Sequence, residues 1–420
     1  MVGMLLTGIM PLSGQVKIAI RNAAPHLDLQ DVHANTFIGQ GAADSLVDGS
    51  NNTVLGTEAM LHSVSGNGNT VMGKGAYGSQ NGYSNTAIGY EAMHNGSTFA
   101  IYGDVAVGTR ALFYNLDGYN NTSIGYQSMY FSHHGNNNTA LGAWALSYVD
   151  NGEFNTAVGM GAQWFMDSGS YNTSVGHRSL AYINGEYNTA MGEKAAPVMN
   201  SGNQNTVIGA QALNSTYTAS RTTAVGYKTG GDLEVGSFNT FVGSYARGTD
   251  IDQVNSAAIG DAAVSPGSNK IRIGDVGVSW IGGQVNWSAV SDARYKTNVR
   301  DASLGLDFIN RLRPVQYEMQ VTTEKEGGNG HLGQTYTGFI AQEVEQALQE
   351  THEEFSGLCR PDSPDGYYSL RYAEFTVPLV KAVQELTREI NEQRAQLKAV
   401  EAQNARLEAE IAELHARSKS

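Results

Sequence analysis

Ser291 and Lys296 stand five residues apart in the stretch Ser291-Asp292-Ala293-Arg294-Tyr295-Lys296. A serine hydroxyl is a weak nucleophile until a base removes its proton, and a lysine can be that base once burial lowers its pKa toward neutrality. By spacing alone the commoner outcome is a capping serine and a solvated lysine. Position makes the pair more pointed, because it marks a border in composition. Upstream lies a long Gly- and Asn-rich array; downstream lies a mixed segment and then a charged helix.

Other chemistry finds little to build on. The formal net charge of −14 argues against a phosphate-backbone partner, so no nucleic-acid binding is expected. The single cysteine, Cys359, excludes an internal disulfide and any multi-cysteine metal site, and reads as a half-buried small residue. His133-His134 lacks a third ligand, so neither a metal nor another cofactor is expected. No run of about 20 apolar residues is present, hence no transmembrane segment. Met1 to Met10 is apolar but has no preceding basic residue and stops at Pro11, a poor signal peptide. Residues 1–30, with a short strand expected over Gln15 to Ile20, read as an attachment or capping segment.

Residues 31–265 repeat the motif Asn-Thr-x-aliphatic-Gly-x-x-small. Its fourteen glycines run from Gly39 and Gly56 to Gly260, spaced by 17 residues except for two steps of 16 and one of 19. The residue before each glycine is Ile, Leu, Val or Met, and the residue three after it is Ala, Ser or Thr. Asn stands four before it in eleven of fourteen copies, with Asp104, Thr222 and Ser256 as exceptions. Such periodicity predicts a solenoid, one coil of short strands and turns per repeat. Stacked coils would align the aliphatics in an inner apolar ladder, with the small residue where the interior has no room. Gly supplies backbone conformations closed to other residues, and Asn ladders its amide or tolerates a left-handed turn. At about 4.8 Å per strand, fourteen coils give a rod of roughly 65 Å. One thin coil buries little surface, which predicts side-by-side packing of three chains.

This array resembles the heads of trimeric autotransporter adhesins, whose parallel β-rolls carry an aliphatic-Gly-x-x-small signature on somewhat shorter coils. A polysaccharide-cleaving site would need two carboxylates at fixed separation. The acidic residues Asp44, Glu58, Glu91, Asp117, Glu153, Glu186 and Glu193 are scattered through variable turns, and no inserted loop builds a cleft. Tyr83, Tyr119, Phe154, Tyr171, Tyr187 and Phe238 recur just before the Asn-Thr motif. Rings there could stack on sugars, with Tyr119, Tyr171 and Tyr187 as binding candidates, although corner rings more often pack on one another.

The period stops at Pro266. Residues 266–290 read as exit strands (269–274 and 278–283) and a linker. Residues 291–380 read as a small α+β domain: a helix from Leu304 to Leu312 ended by Pro314, strands over 315–322 and 336–340, a Gly327 to Gly330 loop, a helix at 341–348, and an extended piece at 367–370. From Tyr372 a helix bent near Pro378 is expected to run almost to the end. Over residues 381–420 its seam of Val383, Leu386, Ile390, Leu397, Val400, Leu407, Ile411 and Leu414, with Gln393 and Asn404 in the gaps, predicts a coiled coil.

Four ordered motifs sharpen this. They are Ser291-Asp292-x-Arg294-x-Lys296, Leu312-Arg313-Pro314-Val315-x-Tyr317, Gly338-Phe339-Ile340-Ala341-Gln342-Glu343-Val344, and Leu370-Arg371-Tyr372 through Pro378 to Leu386. Together they resemble the intramolecular chaperone auto-processing domain of phage tail spikes and fibres, including endosialidase spikes, and of bacterial tail-fibre-domain surface proteins. The resemblance implies a domain that trimerises, templates the folding of the upstream rod and then cuts itself off between Val290 and Ser291. It assigns Ser291 as nucleophile and Lys296 as base. Asp292, Arg294 and Glu343 are supporting candidates, Arg294 as a candidate neighbouring cation that would help lower the lysine's pKa. The fold expected is therefore mostly β and then α+β: a trimeric β-solenoid rod, a chaperone domain and a coiled coil. The function expected is that of a tail fibre, spike or adhesin whose rod binds a surface receptor or glycan. It would reside on a virion tail or phage-like injection particle, or alternatively on a bacterial surface. The competing functions are a depolymerising spike and a structural stalk that keeps its chaperone domain.

Overall fold

The computed structural model describes residues 34–78, 81–96, 100–318, 334–361 and 366–418. The N-terminal segment 1–30 with its expected strand, the outer part of the 315–322 strand and the Gly327 to Gly330 loop lie outside these residues. The chain divides into two compact units, which meet in the sequence between Val278 and Ser279.

The first unit is a parallel β-solenoid. Its long sheet has fifteen strands in sequence order, from Thr36–Ile38 to Ile271–Ile273. Every strand pairs with the equivalent residues one coil ahead: Thr36 with Thr53, Thr139 with Thr156, Thr240 with Ala257. The motif asparagines form a buried column beside this sheet. Asn155 donates its backbone N–H and its side-chain amide to Asn138 Oδ1 at 2.9 and 3.1 Å, and the same amide donates to the Gly169 carbonyl at 2.9 Å. Each rung thereby satisfies a backbone group that water cannot reach. The motif glycines form a second column. Gly142 has φ +135°, and a Cβ there would lie 2.7 Å from the Gly159 carbonyl oxygen, so only glycine fits.

The aliphatic column faces outward, contrary to the expected inner ladder. Side chains alternate along a strand. The asparagine four before the glycine is buried, so the residue two before it is buried as well: Val54, Ala87, Ala140, Phe241. The intervening Thr and the aliphatic residue then point out. Leu141 is 46% exposed and Met72 is 45% exposed. The interior is filled instead by the expected small residue and by the residue after it. The latter includes Met60, Tyr77, Met93, Leu112, Met129, Leu146, Gln163 and Leu180 in successive coils, all buried and all in the left-handed region. Gly274, at φ +77°, turns the chain off the sheet, and residues 278–283 form no strand.

The second unit packs helices α1 (Leu306–Arg311), α2 (Ala341–Thr351) and the start of α3 (Thr376–Arg417). Their core is Phe308, Val344, Leu348, Leu358 and Phe375. A hairpin joins Val315–Glu318 to Thr335–Gly338, and a short pair joins Leu358–Cys359 to Ser369–Leu370. Glu385 of α3 accepts the Leu306 N–H at 2.7 Å, which caps α1. Residues 372–375 form a 3₁₀ turn, so Pro378 falls in the first turn of α3. Its missing N–H has no partner to lose there, and the helix does not need to bend. The seam residues Leu386, Leu397, Leu407 and Leu414 are exposed in the single chain.

Candidate active site

Asp292 organises the turn that carries Ser291 and Lys296. Its side chain accepts the Arg294 N–H at 2.9 Å and so caps the 3₁₀ turn Ala293–Tyr295. The Tyr295 N–H then bonds the Asp292 carbonyl, and the Lys296 N–H bonds the Ala293 carbonyl, both at 3.1 Å. This single reversal brings residue 296 back beside residue 291, and Lys296 Nζ donates to Ser291 Oγ at 2.7 Å. A pair five residues apart meets because the turn between them is closed by its own cap.

Arg294 does not face the lysine as a free cation. Its guanidinium is held by the Asp292 carboxylate, with Nη2 to Oδ2 at 2.7 Å and Nε to both carboxylate oxygens at 3.1 Å. The guanidinium and the Arg294 N–H keep the Asp292 carboxyl below the usual carboxylate range. A neutralised arginine contributes little repulsion to a neighbouring ammonium. Glu343, at the start of α2, forms an ion pair with Arg313 instead of with the Ser-Lys pair.

Solvent access is the other feature of the site. Ser291 and Lys296 are exposed, and the segment around them displays large apolar side chains: Trp287 is 88% exposed and Val290 is 83% exposed, with Trp280, Val285, Tyr295 and Val299 similarly bare. Displacing water from a lysine disfavours its charged form and so favours its acting as a base.

The aromatic candidates of the array stack on one another. Tyr119 lies 4.7 Å from Tyr102, and Tyr171 is sandwiched between Phe154 at 5.1 Å and Tyr187 at 4.8 Å. Tyr171 has a ring on each face, whereas Tyr119 and Tyr187 each stack on one ring. A second aromatic column, Tyr114, Phe131, Tyr148, Phe165 and Tyr182, escaped the motif-based reading, although its 17-residue spacing is visible in the sequence. His133 pairs with Asp150 at 2.8 Å and His134 with Asp117 at 2.6 Å. Among the described residues no cluster of three His, Cys, Asp or Glu is placed to hold a metal ion. No described helix is long and apolar enough to cross a membrane.

Residues 291–352 match the family described as chaperone of endosialidase. The match opens on Ser291 and runs through α1, the hairpin and α2; the motif from Leu370 to Leu386 lies beyond it. No curated protein matches the chain.

Proposed function

We propose that this chain is a subunit of a trimeric tail fibre, spike or adhesin whose C-terminal domain templates assembly of the β-rod and then cuts the chain between Val290 and Ser291. The observation that carries this reading is the 2.7 Å approach of Lys296 Nζ to Ser291 Oγ, directly after Val290 and at the residue where the family match begins. In the reaction, Lys296 takes the hydroxyl proton and Ser291 Oγ attacks the Val290 carbonyl carbon. The peptide C–N bond breaks as the amine of Ser291 takes up a proton, leaving an ester. Water hydrolyses that ester to a Val290 carboxylate and restores the serine hydroxyl. Asp292 and Arg294 hold the turn that aims the pair; Glu343, through Arg313, ties the lead-in of the hairpin to α2.

Three surfaces support a trimer. The outward aliphatic column recurs in every coil, the α3 seam is bare, and the segment from Trp280 to Val299 exposes its apolar side chains. Copies of the chain that cover this last segment would also displace water from Lys296, so cleavage would wait for assembly. A register-setting helix suits a rod whose coils are interchangeable and whose end strands are open edges. The rod is then the lasting product and carries the binding function, toward a surface receptor or glycan, on a virion tail, an injection particle or a bacterial surface.

Intact mass of the purified chain tests the site. The wild type is expected to yield a fragment ending at Val290, and Ser291→Ala and Lys296→Ala are expected to stay full length. A cut that persists in Ser291→Ala would remove the serine from the reaction. A wild type that stays full length as an assembled trimer would make the domain a permanent stalk.

A further inference from the structure

Residues six positions after the motif glycine are aromatic in five successive coils and in no other described coil: Tyr114, Phe131, Tyr148, Phe165 and Tyr182. Elsewhere the position holds residues such as Ser45, Asn95, Val198 and Asp232, and those coils still contribute their strand to the long sheet. The coil therefore does not require a ring here. This separates the column from the outward aliphatics, which every coil carries and which suit a contact repeated along the whole rod.

The rings change attitude along the column. Tyr114 and Phe131 stack at 4.7 Å with planes 2° apart, so each covers the other's face. Farther on, Tyr148 and Phe165 are tilted by 38°, Phe165 and Tyr182 by 36°, and Trp164 and Tyr182 by 58°. The stack ends at Tyr182, because the next coil has Val198 in its place. Ring faces thus open at this end, where Phe165 is 49% and Tyr182 46% exposed. Strand alternation sets a polar column beside the rings, two residues on, while Met166 and Ile183 between them are buried. Asp150, Asp167, Asn184 and Asn200 belong to it, with Asn184 accepting the Asp167 N–H at 2.8 Å and donating to Asn200 at 3.1 Å.

Resting on the reading that the rod binds a surface receptor, we propose that the face around Trp164, Phe165 and Tyr182 is its docking site and that the occupant is an uncharged glycan. A pyranose has an apolar C–H face and a rim of hydroxyls. Tilted rings take the first, by burial of apolar area against the π face. Fixed carboxylates and amides take the second, as acceptors and donors. Charge selects among glycans: the two columns carry no Lys or Arg, and with Asp150 already paired to His133, an acidic sugar at the open end would meet the Asp167 carboxylate.

The test is binding of the full chain to an array of immobilised neutral and acidic oligosaccharides. Trp164→Ala and Tyr182→Val copy residues that the next coil already carries at these positions, Ala181 and Val198, so both variants keep the coil. Phe154→Ala, which removes a ring from a different stack, is the control. Neutral glycans are expected to bind wild type and Phe154→Ala, and to bind Trp164→Ala and Tyr182→Val about tenfold less tightly. Binding confined to acidic glycans, or unchanged in both variants, overturns the site while leaving a glycan-binding rod. Absence of any bound glycan overturns the proposal and leaves the receptor reading only a non-glycan partner. A changed oligomeric mass in Trp164→Ala would make the face a contact between copies, which also overturns the proposal.

Discussion

Asp104 occupies a rung that most coils give to asparagine. It accepts the Asn121 N–H at 2.7 Å on one oxygen and the Asn115 amide at 2.9 Å on the other. Burial pushes its carboxyl up to about 8, against these hydrogen bonds, which favour the charged form. The folded state therefore holds the proton more tightly than the unfolded chain does. The rung's contribution is complete below the ordinary carboxylate range and is lost as pH rises through about 8. Asp104→Asn is expected to raise the melting temperature more at pH 9 than at pH 5; an equal shift at both would take the carboxyl out of the account. The departure at 104 was legible as a broken motif. Its answer at Asn115 was not, because that position belongs to a column of mixed type, Ser132, Val149, Met166 and Ile183, whose inward direction only the fold reveals.

At the level of the coil, the asparagine column carries stability that propensity does not supply. Asn138→Ala would strip the Gly152 carbonyl of its side-chain donor, and Asn155 of its acceptor, in a place closed to water. A loss of about 2–4 kcal/mol is expected, measured as a lower denaturation midpoint. Asn137→Ala, one residue away at the half-exposed corner, should cost clearly less, and equal losses would mean that the column is incidental. The repeat length, the glycines, the asparagines and the inward small residue were all legible, since each recurs at a fixed place. Which alternate set faces inward was not legible from the motif alone. Ile38, Leu55 and Ile259 are the most apolar residues of their strands and yet point out. The coil's interior is completed by left-handed Met and Leu residues, a conformation that their side chains give no reason to expect. The Ser-Lys pair was legible because one capped turn separates its members; the ion pair that ties Arg294 to Asp292 was not.

Over the whole molecule, the exposed faces form a single argument about assembly. The α3 seam is apolar and bare, and in the proposed coiled coil Asn404 on it would set the register between helices. Leu397→Asp is expected to convert the proposed trimer to monomer by light scattering and to abolish cleavage at Val290, although it lies 106 residues from Ser291 in sequence. Cleavage that continues in the monomer would uncouple the chemistry from assembly.

The pairing of each strand with its adjacent coils alone also sets how the rod answers to load. Its hydrogen bonds run along the axis, and a coil at the end is held by one neighbour. Under tension on the terminal chain, such a stack peels from its end instead of failing in the middle. Each coil released gives back roughly 58 Å of extended chain in place of about 4.8 Å of axis. A particle tethered through this rod would meet a hard pull with a series of yielding steps.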